Sequence, residues 1–461
     1  MEQIQKIVSG VRRTEGVDVI ETGLVFLAGI VSGLFAGVLP GVGGVVIMTM
    51  AFPFLLQVDP VNILIFYVTM ASIDQYFNGI TAIVFGVPGA SMNIPTQIEG
   101  HTLFRQGQGS DAITLSAVGS FIASLFAMLL VVAMLPVLWS VYGIWSSIMQ
   151  SVLLGVASLV LVMVSRNNKM FSIGLFCIGG VLGQVGFSEE SGTAFGTMGT
   201  DLLFSGVPTL AVLTSLYVVP VLLKAYKAQS GSFDFPGVTF AGYKKAFLSM
   251  MKYYRTLIRS SFLGSLGGLV PGMSFGFSSL LAYVTEKSIR KSKGLYKVGD
   301  THSLIACESA NNAGVFTQLV PLLFLGIPIT ASEALIYNIL EMRGLPVDIA
   351  WFQQTFTAVI VFFAVSSIIG LFLSAKYVNI IKLLNGIPMS TVYVFIFCVL
   401  LFALWQTGVS QYAGFNHLLI ACLLLPVGVM LHKHDTTPLL FGFLLSEPLI
   451  DNLKRVLVIY F

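Results

Sequence analysis

Two pairs of polar side chains interrupt long apolar stretches of the sequence at helical spacing. Asp74 precedes Asn78 by four residues, and Glu308 precedes Asn312 by four. In an α-helix this spacing places carboxylate and amide on one face, one turn apart. A carboxylate within a membrane-spanning helix is costly and is therefore a candidate functional group. We predict that these four residues bind a cation through oxygen ligands, with Na⁺ as the first choice and a proton as the alternative. The competing interpretation is a carboxylate near the membrane interface that is hydrogen-bonded to its neighbours.

Proline and glycine interrupt other apolar segments. Pro40 and Pro271 each precede a glycine, and Gly86 and Gly326 each begin a Gly-x-Pro. Proline removes a backbone donor and glycine loosens a helix, so these four positions predict helix breaks. Free N–H groups and the positive end of a broken helix attract anions without a fixed charge. The candidate residues for binding an anionic substrate are Gly41, Gly43, Pro88, Gly89, Asn93, Gly272, Ser274, Asn311, Pro328 and Thr330. The alternative is that the breaks only kink helices.

The composition indicates the class of fold that holds these residues. Of 461 residues, 56% are hydrophobic and only 10% are charged, and the mean hydropathy is +0.90. A soluble domain carries about 25% charged residues. The sequence therefore predicts an all-α polytopic membrane protein with roughly 10–12 transmembrane segments, including discontinuous helices and re-entrant hairpins. A β-barrel would show shorter, alternating segments.

Other classes of protein and site are disfavoured. The net charge of +3 is too small to indicate a nucleic-acid partner. The four cysteines form no Cys-x-x-Cys, so neither a disulfide nor a zinc site is supported, and no other metal centre or cofactor is expected. The sequence has no Gly-x-x-x-x-Gly-Lys-Ser/Thr loop for ATP.

Basic residues divide the chain. Residues 224–297 hold 12 of the 24 Lys and Arg residues, and such residues favour cytoplasmic loops. We predict a first repeat half over 1–223, a basic cytoplasmic loop with an amphipathic helix over 224–260, and a second repeat half over 261–461. The basic loop is also where we expect contact with membrane lipid.

An internal duplication is the strongest pattern. The segment from Gly33 to Gly43 matches the segment from Gly264 to Ser274, 231 positions later. The two Gly-x-Pro motifs are 240 positions apart, and aligning the two acid–amide pairs requires an offset of 234. With the charge pattern, this order predicts the inverted repeat of secondary transporters, whose sites lie at discontinuous helices. The simpler alternative is close helix packing by small residues.

These motifs resemble the large membrane subunit of bacterial tripartite tricarboxylate transporters. The resemblance rests on the Gly-rich segments at 33–43 and 264–276, on Glu308-Ser-Ala-Asn-Asn-Ala, and on Pro321-Leu-Leu-Phe-Leu-Gly-Ile-Pro. It implies a multi-pass carrier of the bacterial inner membrane that imports organic carboxylates and is driven by a cation gradient. A small membrane subunit and a periplasmic substrate-binding protein are the implied partners, and a homodimer is left open.

Two rival functions remain at this point. Ser274 and His417 superficially suggest a serine protease-like intramembrane enzyme, but nothing in their spacing places base and hydroxyl within hydrogen-bond reach. A passive channel is the other rival. The duplicated motif favours binding over catalysis, so we expect a carrier rather than an enzyme.

Overall fold

The chain is almost entirely helical in the computed structural model, which confirms the prediction of an all-α membrane protein. The structure describes residues 19–39, 43–86, 93–142, 152, 155–156, 158–159, 162–163, 165, 167–188, 193–220, 222–223, 237–269, 275–326, 328, 330–345, 349–377, 380, 389–410, 415–446 and 450. Over these residues, a single two-stranded antiparallel ribbon accompanies the helices.

The first half holds the following elements: α1 Val19–Val38, α2 Gly44–Leu55, α3 Pro60–Phe85, α4 Ile94–Leu103, α5 Gly109–Tyr142, α6 Lys169–Gly183, β1 Gly186–Ser188, β2 Thr193–Phe195 and α7 Thr209–Val212. The remainder holds α8 Phe240–Ser249, α9 Tyr254–Leu269, α10 Phe275–Ser292, α11 Thr301–Thr317, α12 Leu319–Leu325, α13 Ala331–Met342, α14 Ile349–Ala375, α15 Met389–Ser410, α16 Asn416–Met430 and α17 Thr437–Ser446.

Four helical stretches within the described residues are long and apolar enough to cross a membrane. They are Val19–Val38, Ile94–Ser140, Trp351–Ala375 and Asn416–Lys433. The second of these joins α4 to α5 through a π-helical turn, Phe104–Gln108. Shorter apolar helices accompany them at Gly44–Leu55, Lys169–Gly183, Thr209–Val218, Tyr393–Gly408 and Thr437–Ser446.

The two Gly-x-Pro motifs end helices. Gly86 follows α3 with φ 62°, and Gly326 follows α12 with φ 67°. Glycine adopts this left-handed conformation without the steric cost of a Cβ, and it is the usual residue at such a helix end. A short helix begins shortly after each break: α4 after Asn93 and α13 after Thr330.

Glycines on α1 hold that helix against the backbone of α3. A Cβ at Gly37 would lie 2.7 Å from the carbonyl oxygen of Asp74 and 3.0 Å from the amide nitrogen of Asn78. A Cβ at Gly33 would lie 2.6 Å from the carbonyl oxygen of Met70. No side chain larger than hydrogen fits at either position without displacing backbone.

The same packing recurs between α9 and α11. A Cβ at Gly268 would lie 2.6 Å from the carbonyl oxygen of Gly314 and 3.0 Å from the amide nitrogen of Gln318. Gly264 likewise approaches the carbonyl oxygen of Ala310. The duplicated Gly-rich segments thus form the same helix contact in each half.

These contacts correct the alignment made from residue types. Gly37 and Gly268 contact Asp74 and Gly314, which are 240 positions apart, the same offset as the two Gly-x-Pro motifs. The offset of 234, which matched Asp74 with Glu308, is therefore wrong for the packed helices. An acid and an amide four residues apart occur on both helices, but at different heights relative to the glycine contacts.

Each half also packs against the other. Ser72 of α3 is hydrogen-bonded to Ser367 of α14 at 3.1 Å, across 295 positions of chain. Asn312, which corresponds to Ser72 at the offset of 240, donates to Ser120 of α5 at 2.7 Å. The long helix that comes after the short one, α5 in the first half and α14 in the second, is therefore a partner of the other half's central helix, α11 or α3.

A buried carboxylate connects α4 to the second half. Glu99 is 0% exposed and accepts hydrogen bonds from the hydroxyls of Tyr283 (2.9 Å) and Tyr296 (2.8 Å). Its other oxygen accepts from the backbone nitrogens of Gly299 (2.7 Å) and Asp300 (2.9 Å). Four donors satisfy this charge, so its role is to hold the segment between α10 and α11 against α4.

The glycine contacts lead to a first prediction. Gly37→Ala and Gly268→Ala should each lower the free energy of unfolding by about 1–3 kcal/mol, because the added methyl group overlaps backbone atoms. Thermal unfolding of the detergent-solubilised protein measures this. Gly23→Ala, on α1 where nothing lies within 4 Å, is the matched control. Equal melting temperatures for Gly37→Ala and Gly23→Ala would contradict the packing argument.

A second prediction concerns Glu99. Glu99→Leu should destabilise the protein by at least about 3 kcal/mol, because four buried donors lose their acceptor. Asp111→Leu is the control, since the ion pair of Asp111 with Lys245 is solvent-exposed and such pairs contribute less than about 1 kcal/mol. Denaturation of both variants in the same detergent tests this, and a loss for Glu99→Leu no larger than that for Asp111→Leu counts against it.

Candidate functional site

The centre of the described core contains a cluster of polar side chains where α3 meets α11. The side chains are at most 6% exposed, and they are Asp74, Gln75, Asn78, Glu308, Asn311 and Asn312. All four residues predicted to bind a cation thus lie in one buried region, contributed equally by the two halves.

The Asp74 side of the cluster has the predicted one-turn geometry. Asn78 Nδ2 donates to Asp74 Oδ1 at 2.6 Å, and Gln75 Nε2 donates to Asp74 Oδ2 at 3.2 Å. Gln75 Oε1 accepts from Asn311 Nδ2 at 2.6 Å. A continuous hydrogen-bonded chain therefore runs from the carboxylate of one half to the central helix of the other.

Glu308 is held by partners from the first half. Ser116 Oγ of α5 donates to Glu308 Oε2 at 2.8 Å, and the hydroxyl of Thr96 on α4 donates to Glu308 Oε1. Gly79 of α3 leaves space for this side chain, since a Cβ there would lie 2.4 Å from Glu308 Oε2. Asn312 does not contact the carboxylate: its Nδ2 donates to Ser120 Oγ and to the backbone oxygen of Glu308.

Among the described residues, no positively charged side chain is paired with the carboxylates of this cluster. None of the ion pairs found between described residues involves Asp74 or Glu308. Their carboxylates are bonded only to hydroxyl and amide groups, and buried charges normally require a counter-charge or a bound metal. Neutral donors alone leave each carboxylate suited to take up a cation or a proton, because oxygen ligands favour hard cations.

Asn311 also bears on the ligand. It was a candidate for binding an anion, but its Nδ2 donates to Gln75, while its Oδ1 is buried without a hydrogen-bond partner among the described residues. An acceptor without a donor, close to a carboxylate chain, suits a positively charged ligand better than an anion.

The candidate anion-binding residues lie around the helix ends. Gly43 is the N-cap residue of α2, and Pro328 is buried between α12 and α13. Thr330 caps α13, accepting from the backbone nitrogen of Glu333 at 3.3 Å. Other candidates fall outside the described residues: Gly41, Pro88, Gly89, Gly272 and Ser274. The predicted helix breaks at Pro40 and Pro271 also lie outside them.

Asn93 differs from an ordinary helix cap. It precedes α4, yet its side chain makes no capping hydrogen bond. The residue is 0% exposed, and neither its amide oxygen nor its amide nitrogen has a partner among the described residues. A buried amide with both groups unsatisfied is costly, and it points to a ligand at the start of α4.

The sequence reasoning missed several residues of this region. Thr96, Ser116 and Gln75 bind or extend the carboxylates, but isolated Ser, Thr and Gln residues in apolar helices give no distinctive pattern. Glu333 was also missed, and the structure buries it completely. A usable signal existed there, because Thr330-x-x-Glu333 is a capping-box sequence and predicts a helix start.

Comparisons with known proteins identify the family of this chain. A sequence model described as "Tripartite tricarboxylate transporter TctA family" matches residues 24–441. An uncharacterised 52.8 kDa protein from the TAR-I ttuC' 3' region of Agrobacterium vitis is 27% identical over 94% of this chain and 86% of its own length.

Two further relatives match in part. An uncharacterised protein from the TAR-II ttuC' 3' region of Agrobacterium vitis is 28% identical over 42% of this chain and 81% of its own. An uncharacterised protein of Methanocaldococcus jannaschii is 22% identical over 58% of this chain and 62% of its own. No solved structure matches. Because the family match covers nearly the whole sequence, the chain belongs to the tripartite tricarboxylate transporter TctA family.

Proposed function

We propose that this chain is the carrier subunit of a secondary active transporter that imports an organic carboxylate across the bacterial inner membrane. The family match supports a membrane component of a tripartite system. The partners proposed are a small membrane subunit and a periplasmic binding protein that delivers the substrate. The family assignment favours transport over the two alternatives, a serine protease-like enzyme and a passive channel.

The observation that carries the proposal is the buried pair of carboxylates, Asp74 and Glu308, at the contact of α3 and α11. Each is bonded to neutral groups only. A carboxylate in this setting would repel an anionic substrate unless a cation neutralised it. Prior binding of a cation therefore favours binding of the substrate, which is the thermodynamic requirement for coupling the two fluxes.

The substrate contacts belong at the helix breaks. Asn93 supplies a buried amide that has no partner within the described part of the chain, at the start of α4, where N–H groups attract carboxylate oxygens. The corresponding residue of the second half is Thr330 at the start of α13. We propose a substrate site between these helix starts, with the two halves in opposite orientations and moving against each other.

Neutralising the carboxylates tests the coupling. Asp74→Asn and Glu308→Gln should each abolish the dependence of uptake on the Na⁺ gradient, because the cation loses its charged ligand. Uptake of labelled di- and tricarboxylates into proteoliposomes with the cognate subunits, with and without a Na⁺ gradient, measures this. Asp111→Asn, at an exposed ion pair, should behave like the wild type. An unchanged Na⁺ dependence in both variants would refute the proposal that the two carboxylates bind the cation.

Replacing the unpartnered amide tests the substrate site. Asn93→Ala should raise the substrate concentration for half-maximal uptake about tenfold, the effect of losing about 1.4 kcal/mol of binding. The helix should persist, because the side chain of Asn93 makes no capping hydrogen bond. Asn416→Ala, at the start of α16, is the control. A half-saturation equal to that of the control would exclude Asn93 from the site.

A further inference from the structure

A third carboxylate is buried where the two halves meet. Glu333, in the first turn of α13, is 0% exposed. Its Oε1 accepts from the hydroxyl of Tyr67 on α3 at 3.4 Å, across 266 positions of chain. The same hydroxyl accepts from Gln318 Nε2 at 3.4 Å. The three side chains thus converge from α3, α13 and the junction of α11 with α12.

The repeat relates this cluster to the Glu308 site. At the offset of 240 that the glycine contacts define, Tyr67 corresponds to Cys307. At the starts of α4 and α13, Asn93 corresponds to Thr330, so Thr96 corresponds to Glu333. The contact of Thr96 Oγ1 with Cys307 Sγ, at 3.4 Å, is therefore the counterpart of the contact between Glu333 and Tyr67.

The carboxylate lies on a different kind of helix in each of the two contacts. In one, the hydroxyl is on the short helix and the carboxylate, Glu308, is beside Cys307 on the central helix. In the other, the carboxylate, Glu333, is on the short helix, and Val68 stands beside Tyr67. Each position therefore retains one buried carboxylate next to one hydroxyl.

Gln318 supplies a second, independent observation. The residue is 1% exposed, and its Oε1 has no hydrogen-bond partner among the described residues. Its amide nitrogen faces Tyr67, so the cluster contains a carboxylate oxygen, a phenol oxygen and an unsatisfied amide oxygen. A buried acceptor without a donor points to a missing positive ligand.

The spacing suits a metal ion of moderate size. A separation of 3.4 Å between Glu333 Oε1 and the Tyr67 oxygen is longer than an ordinary O–H···O hydrogen bond of about 2.5–3.0 Å. It matches neighbouring ligands at right angles around an ion with metal–oxygen distances of about 2.4 Å, within the range of Ca²⁺-sized ions. A single carboxylate balances a single charge, which favours a monovalent ion.

We propose that Glu333, Tyr67 and Gln318 form a second Na⁺ site, the repeat counterpart of the Glu308 site. This inference rests on the proposed function, because it assigns a second coupling ion to the same carrier. Occupation of both sites would place one cation at the contact of α4 with α11 and one at the contact of α13 with α3. The ion takes lone pairs of Glu333 Oε1, Tyr67 Oη and Gln318 Oε1, and the amide oxygen gains the partner it lacks.

Glu333→Gln and Gln318→Leu test the site in the full transporter. Glu333→Gln preserves the capping box, since glutamine serves at this position as glutamate does. Each variant should raise the Na⁺ concentration for half-maximal uptake by about tenfold or more. Radioactive sodium bound per purified chain at moderate Na⁺ concentration should fall by one ion relative to the wild type. Glu341→Gln, an exposed position of the same helix, should change neither quantity.

The outcomes separate the two proposals. If Glu333→Gln binds as much sodium as Glu341→Gln while Glu308→Gln loses an ion, the second site is refuted and the coupling proposal stands. If the wild-type chain binds no sodium, both are refuted. Loss of one ion in Glu333→Gln and of a different one in Glu308→Gln, with none retained in the double variant, supports the second site.

Discussion

Direct contact between glycines and backbone carbonyl oxygens is the constraint on which the rest of the structure depends. Gly33 and Gly37 bring α1 against α3, and Gly264 and Gly268 bring α9 against α11. In a membrane, helices gain little from apolar burial against one another, so close van der Waals packing and interhelical hydrogen bonds must hold them. The glycine contacts fix the height of each central helix relative to its neighbour, and they thereby fix which polar side chains reach the centre.

Burial of the central polar cluster costs free energy, which the close packing of the helices must offset. Unsatisfied polar groups in an apolar interior are expensive, and removing one member leaves its partner buried without compensation. Most of the cluster is satisfied across helices, through Gln75 to Asn311 and through Ser116 to Glu308. Among the described residues in and around the cluster, Asn311 and Gln318 each keep an acceptor without a partner, and Asn93 keeps a complete amide without one. Their location beside helix breaks and carboxylates is what ties the fold to ligand binding.

The sequence predicted the fold class well, because it follows from physical effects that act locally. Composition alone predicted membrane helices, and Gly86 and Gly326 predicted two helix ends that the structure contains. The acid–amide pairs were selected for being polar in apolar surroundings; the structure buries them, and Asp74 with Asn78 has the expected geometry. The alignment of α3 with α11 was harder to predict. Residue types suggested an offset of 234 positions between the two helices, whereas the glycine contacts in the structure show an offset of 240. Thr96, Ser116 and Glu333 were missed since their partners are distant in the chain, and no local pattern encodes such a contact.

The crossed packing of the two halves has a consequence for how the protein is made. Ser120 of α5 and Ser72 of α3 both find their partners in the second half, on α11 and α14. While only the first half has emerged from the ribosome, its central helix can pack against α1, but that helix and α5 lack the partners that the second half supplies. The native arrangement of the first half therefore waits for the synthesis of residues near 312 and 367. A membrane protein built in this way completes its tertiary packing late in biosynthesis.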